Sequence, residues 1–144
     1  DRRKAREQAF ALLFELSFHP GQSLEAILTC AAESELLPEV EPFAQELTAT
    51  AFAHLETLDE EIAKHLRGWR LERISRASHA ILRLAVCEIL YYNQKIPVGA
   101  SINEAVELAK IYADEEAPRF INGVLGTVAR SRGAATKAQG AGAC

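Results

Sequence analysis

The stretch "ISRASHAILRLAVCEILYY", residues 74–92, constrains the fold more than any other part of the chain. At about 100° per residue, Ile81, Leu84, Ala85 and Tyr92 share one face of a helix. Leu82, Val86 and Ile89 fill the adjacent side. A helix apolar over so much of its circumference belongs at the centre of a bundle. It is predicted to run from about Ser75 to Asn93. Glu88 falls in the middle of the main apolar face. A buried carboxylate needs donors, so Glu88 is expected to meet an Arg or the free N–H groups of a helix start. It reads as a structural ion or cap rather than a catalytic acid.

Helical spacing recurs along the rest of the chain, and strand signals are weak. The first helix is predicted from about Arg2 to Phe18, stopped by His19-Pro20-Gly21. A second begins after Ser23 as N-cap and ends near Ser34. A third starts at Pro42, since Pro suits the first helical position. Its apolar positions Phe43, Leu47, Ala51, Leu55, Leu58 and Ile62 keep a three-or-four spacing as far as a stop at Gly68. Beyond the apolar helix, Ile96-Pro97 marks a break. Ser101 and Glu104 have capping-box spacing, with Pro97 as an earlier possible start, and this helix ends near Tyr112. Pro118 opens a last helix with Phe120, Ile121, Val124, Leu125 and Val128 in one stripe. Residues 131–144 lack apolar periodicity and are expected to form a disordered tail. The result is an all-α domain of six helices over residues 1–130.

Charge is distributed unevenly. Residues 1–6 carry four bases and one acid, residues 7–63 twelve acids and no Lys or Arg, and residues 64–83 six bases and one acid. Two basic segments around a long acidic one read as separate surfaces for different partners. For the acidic stretch, a solvated face that keeps the protein soluble is the preferred reading. No stretch approaches the roughly 18 apolar residues of a membrane span. Three widely spaced cysteines, Cys30, Cys87 and Cys144, argue against a disulfide framework and fit a reducing cytoplasm. Phosphate loops, dinucleotide-binding glycines, zincin motifs and cysteine pairs at zinc spacing are absent from the sequence. His54 and His65 lie about 16 Å apart along a helix, too far to share a metal. His19, His54, His65 and His79 all read as ordinary surface or core residues. No cofactor or metal is expected.

The opening "RRKAREQAF" places four basic residues in five positions, although positive charge is unfavourable at a helix N-terminus. On a helical wheel Ala5, Ala9, Leu12, Leu13 and Leu16 face the core, and Arg3, Arg6, Phe10 and Phe14 cluster on the flank beside them. Guanidinium groups neutralise phosphate, and aromatic rings stack on unpaired bases. Two readings stand side by side: an RNA or single-strand binding edge, or phenylalanines that widen the core face beside merely exposed arginines.

"RRKAREQAFALLFEL", "ISRASHAILRLAVCEILYY", "IPVGASINEAVELAKIYA" and "PRFINGVLGTVAR" resemble, in that order, the transcription antitermination factor NusB family, from Arg2 to about Arg130. The resemblance implies a non-enzymatic, all-helical protein of six or seven helices, arranged as two packed three-helix bundles. It also implies binding to the boxA element of ribosomal RNA leaders together with NusE, a small-subunit ribosomal protein. That complex helps RNA polymerase pass terminators. By the same resemblance, Arg2, Arg3, Lys4, Arg6 and Phe14 match the RNA-binding first helix, and Arg119 and Phe120 match a second RNA contact. Glu72, Arg73 and Ser78 match the region that meets NusE, with Ser78 a departure, because an acidic residue can occur there in relatives. Asn103 and Glu104 read as structural. A NusB-like domain also precedes the catalytic domain of some ribosomal RNA methyltransferases, but this chain has no cofactor loop. The remaining alternative is a homodimeric interaction module that hides its basic helix.

Overall fold

A computed structural model describes the backbone at residues 1–33 and 39–143, with side chains described as far as residue 133. Among the described residues there are seven α-helices, one 3₁₀ turn and no strand. Asp1 caps helix α1 (Arg2–Phe18) by accepting from the Arg3 N–H at 3.0 Å. That acid offsets part of the cost of the basic first turn. Ser23 caps α2 (Leu24–Glu33) by accepting from the Ala26 N–H, as the sequence predicts. Helix α3 (Pro42–Ala53) starts at the expected proline.

The third predicted helix is in fact two. It breaks at His54, after which α4 runs Leu55–Lys64. The His54 ring bonds the Thr50 carbonyl at 2.8 Å, and the His54 N–H turns instead to the Ala51 carbonyl. The ring thus occupies the oxygen that would have continued the i−4 ladder. The apolar spacing persists across the break, so periodicity alone could not reveal it.

Helix α5 (Arg76–Tyr91) is the central element, capped by Ser75 Oγ on the Ser78 N–H. It packs against α1, α3 and α4, and also against α6 (Val98–Tyr112) and α7 (Ala117–Ala143). Helices α1–α3 form one group and α5–α7 the other, with α4 bridging α5 and α7. Ile81, Leu82, Leu84, Ala85, Val86, Cys87 and Ile89 are all buried. Burying a side chain of this size contributes about 1.5–3 kcal/mol, so α5 supplies much of the cohesion.

Helix α6 takes the earlier of its two expected starts, and α7 begins one residue ahead of the expected proline. Pro97 is the N-cap of α6, so Ser101 lies inside the helix and its hydroxyl is free for another partner. Asp114 accepts from the Glu116 and Ala117 N–H groups, which starts α7 one residue before Pro118. The backbone of residues 131–143, expected as a disordered tail, continues helix α7, with side chains described as far as residue 133.

Candidate nucleic-acid interface

The first turn of α1 exposes three cations. Arg3 donates to Glu104 of α6 from Nε at 3.2 Å and from Nη2 at 3.1 Å. These hydrogen bonds raise the Arg3 pKa above its usual value. Lys4 lies 3.8 Å from Glu41, and the Arg2 guanidinium sits 4.4 Å from the centre of the Phe43 ring. Exposed ion pairs of this kind are weak, because solvent screens them. A phosphate can displace the carboxylates at little cost, so the patch is cationic and available.

Arg6 corrects the sequence expectation. It is 6% exposed and belongs to the core, not to the open flank. Its Nε and Nη2 donate to the two Glu88 oxygens at 2.8 and 2.9 Å, and Ser101 Oγ donates to Glu88 Oε1 at 2.9 Å. Glu88 thus finds the arginine expected for it, and that arginine has no edge to offer an RNA. Phe10 is likewise buried, because Tyr112 at the end of α6 stacks on it at 4.9 Å. Helix α6 covers the part of the flank that the helical wheel left open. Phe14 stays half-buried in a ladder of rings: it stacks on Phe10 at 5.7 Å and meets Phe18 edge-on at 5.1 Å. The Arg76 guanidinium lies 4.7 Å from the Phe18 ring centre.

A groove of about 580 Å³ opens between the start of α5 and the start of α7. It brings together Arg119, Phe120, Arg73 and Ser78, which the sequence assigned to two different contacts. Arg119 and Arg73 are exposed, Phe120 is half-buried against the core, and Ser78 is buried. Trp69, which the sequence reading passed over, forms the outer wall with its ring 6.2 Å from Phe120. Glu72 is exposed on the 3₁₀ turn (Leu71–Arg73) and lines a neighbouring cleft with Arg76, His79 and Arg83. Tyr112 of the aromatic ladder precedes Asp114 of the groove by two residues, which links groove and ladder along the chain.

Two polar residues that the sequence does not single out make tertiary bonds, Gln8 buried and Asp59 half-buried. Gln8 donates to the Glu39 carbonyl at 2.9 Å and accepts from the Glu41 N–H at 2.8 Å, tying α1 to the segment before α3. Asp59 of α4 accepts from His79 at 2.7 Å and from Arg83 at 2.9 and 2.7 Å. His79 therefore has an acidic neighbour, which the sequence placed twenty residues away. Burial alone would raise the Asp59 pKa, but the hydrogen bonds from Arg83 and His79 outweigh it and hold it at about 2. Among the described residues no group of His, Cys, Asp or Glu could hold a metal, and no helix is long and apolar enough to cross a membrane.

Residues 3–130 match the NusB family model. The chain belongs to the NusB family. The transcription antitermination protein NusB of Bacillus subtilis (strain 168) is 42% identical over 127 residues, covering 88% of this chain and 93% of that protein. The NusB of Carboxydothermus hydrogenoformans is 41% identical over 134 residues, covering 90% and 92%. Among solved structures, the NusB of T. maritima superposes with a TM-score of 0.78 at 33% identity, covering 90% of this chain and 91% of that one. A crystal structure of the antitermination factors NusB and NusE in complex with dsRNA gives 0.76 at 30% identity, covering 90% and 96%. The two-bundle helical fold expected from the NusB resemblance is therefore the fold found. This chain is a NusB-type transcription antitermination factor and not an enzyme.

Proposed function

We propose that this protein works in the cytoplasm, where it binds single-stranded boxA-type RNA of ribosomal operon leaders together with NusE. The complex would then join the elongating RNA polymerase and keep it processive. The observation that carries this reading is the exposed cationic turn Arg2-Arg3-Lys4, held only by two weak ion pairs and a ring contact. It occurs in a chain 30% identical to a NusB solved with NusE and dsRNA. In this reading Arg2, Arg3 and Lys4 neutralise phosphates. Phe14, Arg119 and Phe120 receive bases and backbone beyond them. Arg6 acts indirectly, by anchoring the helix that carries the patch. Glu72 and Arg73 face NusE, and buried Ser78 shapes the floor between them.

The test is a titration with boxA and scrambled RNA, each with and without NusE. Tighter binding of boxA in the presence of NusE is the expected result. Equal binding of both RNAs under all conditions would refute the assignment. Exposed Phe18, Ile111 and Tyr112 favour a second reading, a homodimer formed through this face. Light scattering separates the two: a dimer that RNA leaves intact supports the interaction module.

A further inference from the structure

Apart from Arg73, assigned above to NusE, the second basic segment has been given no contact with a partner. Lys64, Arg67, Arg70, Arg73 and Arg76 recur every third residue from the end of α4 to the start of α5, against one acid, Glu72. All five are exposed. Lys64 pairs with Glu61 at 3.4 Å and Arg76 lies over Phe18. Arg67, Arg70 and Arg73 make no side-chain ion pair, hydrogen bond or ring contact with any described residue. The contrast with α1 matters, because there each basic side chain has a carboxylate or ring partner. In a chain with 20 acidic residues, leaving three neighbouring arginines unpaired maintains a local positive potential that folding alone does not need.

Gly68, at φ +74°, turns the chain after α4 in a conformation that favours glycine. The turn carries Trp69 outward: the residue is 58% exposed, yet its ring packs steeply inclined against Phe120. A flat aromatic surface thus stands between unpaired cations, at the mouth of the groove that holds Arg119 and Phe120. Three residues span at most about 10 Å of chain, so successive cations are close enough to follow one polyanion. Cations alone would suit any acidic partner. An exposed indole among them suits a single strand, whose bases present stacking faces.

We propose that Arg67, Trp69 and Arg70 form an extension of the RNA path, in which the arginines neutralise phosphates and Trp69 stacks on a base flanking the core element. This extension rests on the functional reading above and lengthens the footprint from the Arg119–Phe120 groove along the α4–α5 connection.

The chain contains a single tryptophan, so its fluorescence reports the stacking directly. Two RNAs are compared, a core boxA-type strand and the same strand extended at both ends, in a salt series with and without NusE. The extended strand is expected to quench Trp69 and to bind more tightly than the core. The double substitution Arg67→Gln/Arg70→Gln should reduce the salt slope for the extended strand by about 1.4, at about 0.7 per single-strand contact, and leave the core strand's affinity unchanged. Trp69→Ala should weaken the extended strand by roughly 5- to 150-fold, and Trp69→Phe should restore much of that loss. Circular dichroism melts of these surface variants should match the parent.

The proposal is overturned if core and extended strands bind alike and the variants change neither affinity, slope nor fluorescence. It is also overturned if the variants keep RNA affinity but lose NusE, which would make the strip a protein-docking surface. If the parent binds neither RNA even with NusE present, the functional reading itself fails, and this extension with it.

Discussion

Removing Glu88 should be among the most damaging single changes in this protein. Its carboxylate is 1% exposed and accepts two hydrogen bonds from Arg6 and one from Ser101. Glu88→Ala leaves a guanidinium buried between α1, α5 and α6 with no counter-charge. Breaking a buried pair in this way costs about 3–5 kcal/mol, and the stranded Ser101 hydroxyl adds about 1 kcal/mol. A domain of this size has only about 5–15 kcal/mol in all. At about 2–4 °C per kcal/mol, the midpoint should fall by roughly 10–20 °C. Arg6→Ala should cost a similar amount, because it strands the carboxylate instead. Arg6→Met/Glu88→Leu removes both charges and fills the space, so it should recover to within about 1 kcal/mol of the parent or exceed it. Urea unfolding of the four proteins, with the slope checked for constancy, compares the stranded charges with the apolar replacement. Single variants within about 0.5 kcal/mol of the parent would refute the reasoning, since that is the range of exposed sites.

Three further outcomes follow from the same geometry. Asp59 has its pKa lowered in the fold, so the unfolded chain takes up the proton first as pH falls; its stabilisation is complete above about pH 5 and is lost towards about pH 2. Allowing for screening at this partly exposed site, the loss is of order 1 kcal/mol, and Asp59→Asn should abolish this part of the acid sensitivity of the melting midpoint. Burial, aided by neighbouring Glu88, pushes the Cys87 thiol up to about 12; a thiol reagent near neutral pH should label exposed Cys30 at once and Cys87 only on unfolding, and rapid labelling of Cys87 in the native protein would contradict its burial. Phe120→Leu keeps most of the apolar volume and removes the stacking face, so boxA affinity should drop by about 1–3 kcal/mol with an unchanged salt slope; a change in melting midpoint alone would make the ring purely a core residue.

The parts of this fold legible in the sequence are those set by local spacing. Ser23 and Ser75 cap where capping chemistry places them, and α5 is buried on the faces its apolar residues define. Glu88 announced a buried partner because a carboxylate on an apolar face must have one. What local spacing cannot supply is the identity of that partner, which lies 82 residues away in the chain. Arg6 looked exposed because a helical wheel shows direction but not what covers it, and the covering element is α6. Gln8 sits beside Ala5 and Leu12 on the core side of α1; a polar residue there is the signal that could have flagged its bonds to Glu39 and Glu41. The break at His54 was hidden for a related reason, since a side chain rather than a change of pattern ends α3.

Helix α1 therefore assigns opposite tasks to arginines three residues apart, and loss of RNA binding alone cannot tell them apart. Arg3 is exposed and paired with Glu104; Arg6 holds the helix that presents Arg3. Both Arg3→Ala and Arg6→Ala should weaken binding, the first by removing a contact and the second by loosening its support. The salt slope separates them. Counterion release counts phosphates neutralised, so Arg3→Ala should make the slope shallower by about 0.7. Arg6→Ala, measured where the protein is still folded, should leave the slope as it was, and Arg6→Met/Glu88→Leu should restore affinity without any charge at position 6. Glu104→Gln provides the reciprocal arm: it frees Arg3 from its carboxylate and should tighten binding while preserving the slope. A shallower slope for Arg6→Ala at parental stability would place that guanidinium on the RNA after all.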